Sequence, residues 1–190
     1  PNLQLCFMAV AASYDGSKTY EGHGYQTHID LMKPTSRGSI RLRTSNPEDA
    51  PMILFNYLQT EEDRRVAVEG FKLARELLAQ TSFDQFRGVE LDPGDDVKSD
   101  KEILDWMKIN GETEYHPTSS CSMGYSDSAV VDNELRVHGT ESLRVIDASI
   151  MPEIVTANTH ATTLMIAEKI SDSILENPPL PALSVPLFQK

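Results

Sequence analysis

Long apolar runs are missing from this sequence of 190 residues. No stretch approaches the roughly 20 apolar residues that a membrane-spanning helix needs, and the N-terminus has neither the basic flank nor the apolar block of a secretion signal. The sequence therefore predicts no integral membrane segment. Hydrophobic residues make up 39% of the chain and charged residues 24%, which is typical of a globular protein.

Cysteines and basic clusters are also scarce. The two cysteines, Cys6 and Cys121, do not have the CxxC spacing of zinc or redox sites, so we expect free thiols in a reducing, cytoplasmic compartment. The 17 lysines and arginines are spread along a chain of formal net charge −12, which argues against nucleic-acid binding. An acidic field weakly favours a cationic small molecule over an anionic one.

Motifs of several common enzyme classes are absent as well. The sequence contains no GxSxG nucleophile elbow and neither the GxGxxG nor the GxxxxGK[ST] phosphate loop. His23 and His28 lie five positions apart in a strand-rich region, which places them on opposite faces, and no carboxylate or cysteine is suitably spaced. We therefore predict no metal site.

Alternating and apolar patterns in the first third of the chain predict an antiparallel sheet. The predicted strands cover residues 3–12, 25–32, 39–43 and 52–58, with turn signals at 14–17 and 34–38. In the third strand Ile40 and Leu42 alternate with Arg41 and Arg43, so we expect the two apolar side chains to face a core.

Capping residues predict two helices after these strands. Thr60, with Asp63 three positions later, is typical of a helix start, and that helix is expected to continue to about Gln80. Ser99 with Glu102 repeats the pattern for a second helix. Residues 110–128 are then irregular, and short strands at 129–131 and 135–137 are expected to flank a tight turn at 132–134.

The segment 143–174 combines a strand pattern, a turn and a helix. A short strand is expected to end at Asp147, and polar residues 156–160 open an apolar-faced helix with His160 on its first turn. In open α/β sheets ligands bind beyond the carboxyl ends of the strands, where a helix N-terminus offers free N–H groups. This segment is therefore a candidate site.

A second histidine, His116, lies in an irregular run of small hydroxylated residues. Pro117 biases the backbone of His116 toward an extended conformation, which restricts the histidine. Alone, His116 could equally be a structural turn residue and His160 a cap or surface residue. Together they suit the oxidation of an alcohol, in which one imidazole takes the hydroxyl proton and the other stabilises the alkoxide.

Three segments resemble the C-terminal part of the glucose-methanol-choline (GMC) flavin oxidoreductases, with the choline dehydrogenases as the nearest subgroup. They are KPTSRGSIRLRTSNPEDAPMILFNYL at 33–58, HPTSSCSMG at 116–124 and VVDNELRVHGTESLRVIDASIMPEIVTANTHATTLMIAEK at 130–169. The resemblance implies an α+β fold. Residues 1–105 would form the substrate-domain sheet and helices, 106–175 the active-site loop and the return into an FAD-binding α/β domain, and 176–190 a Pro-rich tail.

The resemblance also implies a cofactor, FAD, and a reaction. A primary, choline-like alcohol would become an aldehyde as a hydride passes to flavin N5, with His116 and His160 as the catalytic residues. Choline-type members usually carry Asn at the position of His160, which leaves the alcohol open. The implied FAD-binding residues are Asp147 and Ala148 for the phosphate and ribityl chain, and Asn158, Thr159 and Thr162 near the flavin ring.

Other consequences of the resemblance concern partners and alternatives. The dinucleotide-binding N-terminal half of the family is outside this sequence, so the 190 residues are expected to be a C-terminal fragment that does not hold FAD alone. Peripheral attachment to the inner membrane and homo-oligomer formation are both compatible with it. A lyase that keeps FAD only as structure, and a non-catalytic fragment, are the alternative functions.

Overall fold

The computed structural model describes residues 1–13, 19–156 and 158–184. The fold is α+β, as predicted, and the chain divides into two compact units, Pro1–Tyr115 and His116–Lys190. Asp105, the predicted end of the substrate-domain segment, lies within a helix of the first unit, and the division into family domains remains a prediction. The predicted turn at 14–17 and the end of the Pro-rich tail, 185–190, lie outside the described residues.

The first unit begins with two antiparallel strands that confirm the first two predicted strands. Strand β1 covers Leu3–Met8 and pairs with β2, Gln26–Leu31, so that Leu3 lies opposite Leu31 and Met8 opposite Gln26. Pairing holds side chains of both strands on a common face. That arrangement gives the helices of this unit a small sheet to pack against.

Two shorter strands form a separate ribbon, in which the predicted burial is wrong. Strand β3, Ser39–Arg41, pairs antiparallel with β4, Met52–Leu54, yet Ile40 is 57% exposed and Leu42 82% exposed. Within the described residues β3 pairs with β4 alone. Alternation shows which side chains share a face, but whether a second layer covers that face depends on the rest of the fold.

Helix α1, Glu61–Leu78, confirms the first predicted helix. Thr60 is its N-cap, and the Thr60 hydroxyl accepts a hydrogen bond from the Asp63 amide. At Gly70 a Cβ atom would lie 2.8 Å from Ile29 Cγ2 and 3.0 Å from Leu3 Cδ2. A glycine therefore allows α1 to approach the β1–β2 pair closely. The buried apolar face of α1 consists of Val66, Ala67, Val68, Phe71 and Ala74.

Helix α2, Asp100–Asn110, confirms the second predicted helix and its capping box. The Ser99 amide donates to Glu102 Oε2 at 2.8 Å, and the Glu102 amide donates to Ser99 Oγ at 3.3 Å. Ile103, which is 1% exposed, packs with Val68 and Phe71 of α1. This contact makes α2 part of the first unit.

The second unit is built from irregular chain, one 3₁₀ turn at Ala148–Ile150 and helix α3, His160–Ile174. The predicted strands at 129–131, 135–137 and 143–147 are wrong, because the described chain here forms only isolated bridges such as Val131–Val137 and Arg136–Arg144. Leu135, at the start of one predicted strand, and Ser142, directly before another, adopt left-handed backbone conformations, with φ values of 60° and 59°, which an extended strand does not accommodate. The core of this unit consists of Val131, Leu135, Ile150, Met151, Ile166 and Ile170.

Among the described residues, no helix is both long enough and apolar enough to cross a bilayer.

Candidate active site

The loop that contains His116 is hydrogen-bonded to the chain leading into α3. The Cys121 amide donates to the Ser149 carbonyl at 3.0 Å, and the Met123 amide donates to the Ile150 carbonyl at 2.8 Å. These bonds satisfy backbone groups that an irregular loop would otherwise leave unpaired. They also bring the loop 116–124 next to the 3₁₀ turn although the two segments are well separated in sequence.

Backbone conformation restricts this loop at both sides of His116. Tyr115 and Ser119 are non-glycine residues in the left-handed region, with φ values of 58° and 72°. Such conformations cost about 1 kcal/mol or more each and concentrate at functional sites. Pro117 fixes its own φ, so the backbone that carries the His116 side chain is restricted on both sides.

The His116 ring is held by two adjacent residues at the start of α3. Thr159 Oγ1 lies 2.9 Å from His116 Nδ1, and Asn158 Nδ2 lies 3.0 Å from His116 Nε2. Since the nitrogen of the Asn158 amide faces Nε2 and can only donate, this pairing assigns Nε2 as an acceptor and Nδ1 as the protonated nitrogen, which donates to the Thr159 hydroxyl. His116 is half-buried and Thr159 is 6% exposed.

The first turn of α3 has no side-chain cap from Thr159. The Thr159 backbone is in the helical region, with φ −77° and ψ −13°, and its hydroxyl bonds to His116 rather than to a helix amide. The first intrahelical bond runs from the Thr163 amide to the Thr159 carbonyl at 2.9 Å. The amides of His160, Ala161 and Thr162 precede that bond and therefore have no acceptor within the helix, which gives this end a partial positive charge.

His160 is the first residue of α3, as predicted, and its side chain is exposed. Within the part of the chain that the structure describes, His160 makes no side-chain hydrogen bond or ion pair. The structure thus joins His116 by hydrogen bonds to Asn158 and Thr159, and not to the second predicted catalytic histidine.

The remaining predicted site residues lie on either side of this cluster. Asp147 is exposed, and its carboxylate accepts a 2.7 Å hydrogen bond from the Ser149 amide, which caps the 3₁₀ turn. Ala148 and Thr162 are half-buried. Asp147 and Ala148 immediately precede the two carbonyls that anchor the His116 loop, and Thr162 is on the first turn of α3.

Sequence reasoning did not find that Thr159 and Asn158 hold the imidazole. Both are predicted to lie near a flavin ring, and in the structure both also hydrogen-bond to His116, which is 43 and 42 positions away in the sequence. A pairing over that separation has no local sequence signal. Sequence reasoning also did not find a contact between His138 and the loop 116–124. In the structure His138 Nε2 hydrogen-bonds to the carbonyl of Gly124, the last residue of that loop, at 3.0 Å.

Comparison with known families finds a match over most of the chain. The family model of the GMC oxidoreductases matches residues 34–167. This range includes His116, the 3₁₀ turn and the first half of α3. The matched range therefore contains every predicted site residue.

Curated relatives match almost the full length of the chain. An oxygen-dependent choline dehydrogenase of Burkholderia multivorans is 50% identical over 188 residues, which are 99% of this chain and 33% of the relative. An oxygen-dependent choline dehydrogenase of Ectopseudomonas mendocina is 46% identical over the same shares. The chain thus spans about a third of the length of the curated relatives that it matches.

Solved structures show the same fold. A pyridoxine 4-oxidase from Mesorbium loti superposes with a TM-score of 0.84 and 30% identity over 94% of this chain and 35% of that chain. A formate oxidase of Aspergillus oryzae, studied for FAD modification, superposes with a TM-score of 0.85 and 26% identity over 93% of this chain and 32% of that chain.

Proposed function

The chain belongs to the GMC oxidoreductase family, and on that basis we propose that it is the C-terminal part of an FAD-dependent enzyme that oxidises a primary, choline-like alcohol to an aldehyde. The similarity to choline dehydrogenases supports this substrate class. The net charge of −12 is also suited to a cationic alcohol. The observation that carries the proposal is the His116 ring held between Asn158 and Thr159.

His116 is proposed to take the proton of the substrate hydroxyl. A neutral imidazole is a suitable base near neutral pH, and general-base catalysis requires the accepting nitrogen within hydrogen-bond reach of the hydroxyl. The hydrogen bond to Thr159 and the restricted loop limit the orientations of the ring before the substrate binds. Less orientational freedom is therefore lost at the transition state. His160, exposed on the adjacent helical turn, is proposed to stabilise the alkoxide oxygen.

The start of α3 has the chemistry required beside a flavin. The uncapped amides of His160, Ala161 and Thr162 form a set of donors with partial positive charge, which fits the carbonyl and nitrogen acceptors of an isoalloxazine edge. Asp147 and Ala148 are proposed to contact the phosphate and ribityl parts. When bound, FAD would supply the acceptor for the hydride.

The proposed partner of these 190 residues is the remainder of the same flavoprotein, and the proposed ligand is a small alcohol. Cytoplasmic location, peripheral attachment to the inner membrane and homo-oligomer formation remain predictions.

The proposal is tested by anaerobic flavin reduction in the complete flavoprotein that carries this chain. A panel of primary alcohols that includes choline should bleach the flavin, and His116→Ala should slow the bleaching about 10²- to 10⁴-fold. His23→Ala, at an exposed histidine of the first unit, is the control and should leave the rate unchanged. Equal rates in wild type and His116→Ala would contradict the role of His116, and product formed without bleaching would indicate a lyase.

A further inference from the structure

Thr159 directly precedes α3, but its hydroxyl does not cap the helix. A threonine that precedes a helix normally accepts a hydrogen bond from an amide of the first turn, as Thr60 does for α1. Thr159 makes no such bond, and its hydroxyl instead lies 2.9 Å from His116 Nδ1. The residue is only 6% exposed, so its hydroxyl has little access to solvent and depends on partners within the protein.

The two ring nitrogens of His116 have different neighbours. Asn158 presents an amide nitrogen to Nε2 at 3.0 Å, and this donor requires an unprotonated acceptor. Thr159 presents a hydroxyl oxygen to Nδ1, and a hydroxyl accepts as well as it donates. A neutral imidazole carries one proton, so the only arrangement that satisfies both contacts places that proton on Nδ1.

We propose that Thr159 is a positioning residue that holds His116 as the Nδ1–H tautomer and leaves the Nε2 lone pair as the proton acceptor. This role rests on the proposed function. In the reaction the O–H bond of the alcohol breaks and its proton forms an N–H bond at Nε2. When bound, FAD would accept the hydrogen of the alcohol carbon together with its electron pair, so that loss of the proton to Nε2 and of this hydride would oxidise the alcohol to an aldehyde.

The tautomer explains why Asn158 and Thr159 act together. The Asn158 amide occupies the side of Nε2 that an incoming hydroxyl would approach, and the hydroxyl replaces that amide as the hydrogen-bond donor. Thr159, on the opposite nitrogen, keeps its contact in both situations because Nδ1 retains its proton before and after the transfer. Once the substrate hydroxyl has replaced the Asn158 amide, the Thr159 acceptor keeps the proton on Nδ1. Without that acceptor the proton can move to Nε2, and Nε2 then no longer acts as the base.

The test uses the complete flavoprotein with three substitutions on one helical turn. Thr159→Val keeps the side-chain shape and removes the hydroxyl, whereas Thr159→Ser keeps the hydroxyl and removes a methyl group. Thr163→Val is the matched control, because Thr163 donates to the Thr159 carbonyl at 2.9 Å and does not contact His116. The measurements are the limiting rate and the apparent dissociation constant of alcohol-driven flavin reduction, with flavin content and absorption spectrum recorded for each variant.

We expect Thr159→Val to lower the limiting rate about tenfold, the size of one neutral hydrogen bond, with flavin content and alcohol affinity unchanged. Thr159→Ser should restore most of the rate, and Thr163→Val should match wild type. If Thr159→Val does not fold, Thr159→Ala removes the same hydroxyl.

Two results would overturn the role of Thr159. One is a wild-type limiting rate in the folded variant that lacks the hydroxyl. The other is an equal loss of rate in Thr159→Ser and Thr159→Val, because shape and not the hydroxyl would then be the cause. If no alcohol reduces the flavin of the wild-type protein, the proposed function is wrong, and the role of Thr159 that rests on it is wrong as well.

Discussion

The carboxylate of Asp63 is buried in the first turn of α1, where the residue is 2% exposed. It accepts hydrogen bonds of 2.8 Å from the amides of Thr35 and Ser36 and from the Thr35 hydroxyl. Burial alone would raise the pKa of Asp63, but the hydrogen bonds from Ser36 and Thr35 outweigh it and lower the pKa to about 2 from 3.8. The sequence identified Asp63 only as a helix-start residue, because its partners come from a separate turn.

This pKa predicts how stability depends on pH. The pKa in the folded state is below that of the unfolded chain, so the stabilisation is fully present above about pH 5 and is lost as the pH falls toward about 2. Asp63→Asn should therefore lower the free energy of unfolding by about 2 kcal/mol at neutral pH. The free energy of unfolding of this variant should also fall less than that of wild type as the pH is lowered. Urea unfolding at a series of pH values measures both effects.

Glu61→Gln is the control for Asp63→Asn, since Glu61 is an exposed carboxylate on the same helical turn. It should change the free energy of unfolding by no more than about 0.5 kcal/mol. An Asp63→Asn protein as stable as wild type at neutral pH would show that the three hydrogen bonds contribute nothing net.

Among the elements, the helices of the first unit could be predicted closely and the strands only in part. The signals of Thr60 and of Ser99 with Glu102 act over three residues, so they can be recognised without the rest of the fold. The exposure of Ile40 could not be predicted from alternation, because it depends on a covering layer far away in sequence. The segment before Asp147 was also mispredicted, since left-handed residues such as Ser142 carry no strong sequence signal.

The capping box of α2 gives a prediction at this scale. Ser99→Ala removes the hydroxyl that accepts from the Glu102 amide and should lower the free energy of unfolding by about 1 kcal/mol. Ser82→Ala, at an exposed serine in the 3₁₀ turn Thr81–Phe83, is the control. Thermal unfolding followed by circular dichroism gives the unfolding midpoint of each variant. Equal midpoints for Ser99→Ala and Ser82→Ala would rule out a stabilising cap at Ser99.

At the scale of the whole molecule, the described residues expose several large apolar side chains. Ile53 and Phe55 lie on or beside β4 and are 55% and 49% exposed, and Leu164 and Met165 of α3 are each 53% exposed. Exposed apolar side chains of this size commonly mark a contact with another segment or chain, and this holds for each unit taken by itself. The chain spans about a third of the length of its curated relatives.

We therefore expect the 190 residues produced alone to bind a hydrophobic dye such as ANS and to self-associate. The complete flavoprotein should bind much less dye per chain, because its remaining segments would cover apolar side chains. Dye fluorescence and light scattering test this together. A monodisperse fragment with no dye binding would contradict it.

The bond between Thr159 and His116 has a consequence for engineering. A designer who wished to make this protein more thermostable would look for helices without caps and would choose residue 159, where an aspartate favours the positive end of α3. An aspartate that turns toward the free amides of the first turn no longer faces Nδ1, so the cap is gained at the expense of the proposed contact with His116. Stability screens that do not also measure turnover would therefore select, at this position, variants that are more robust and less active.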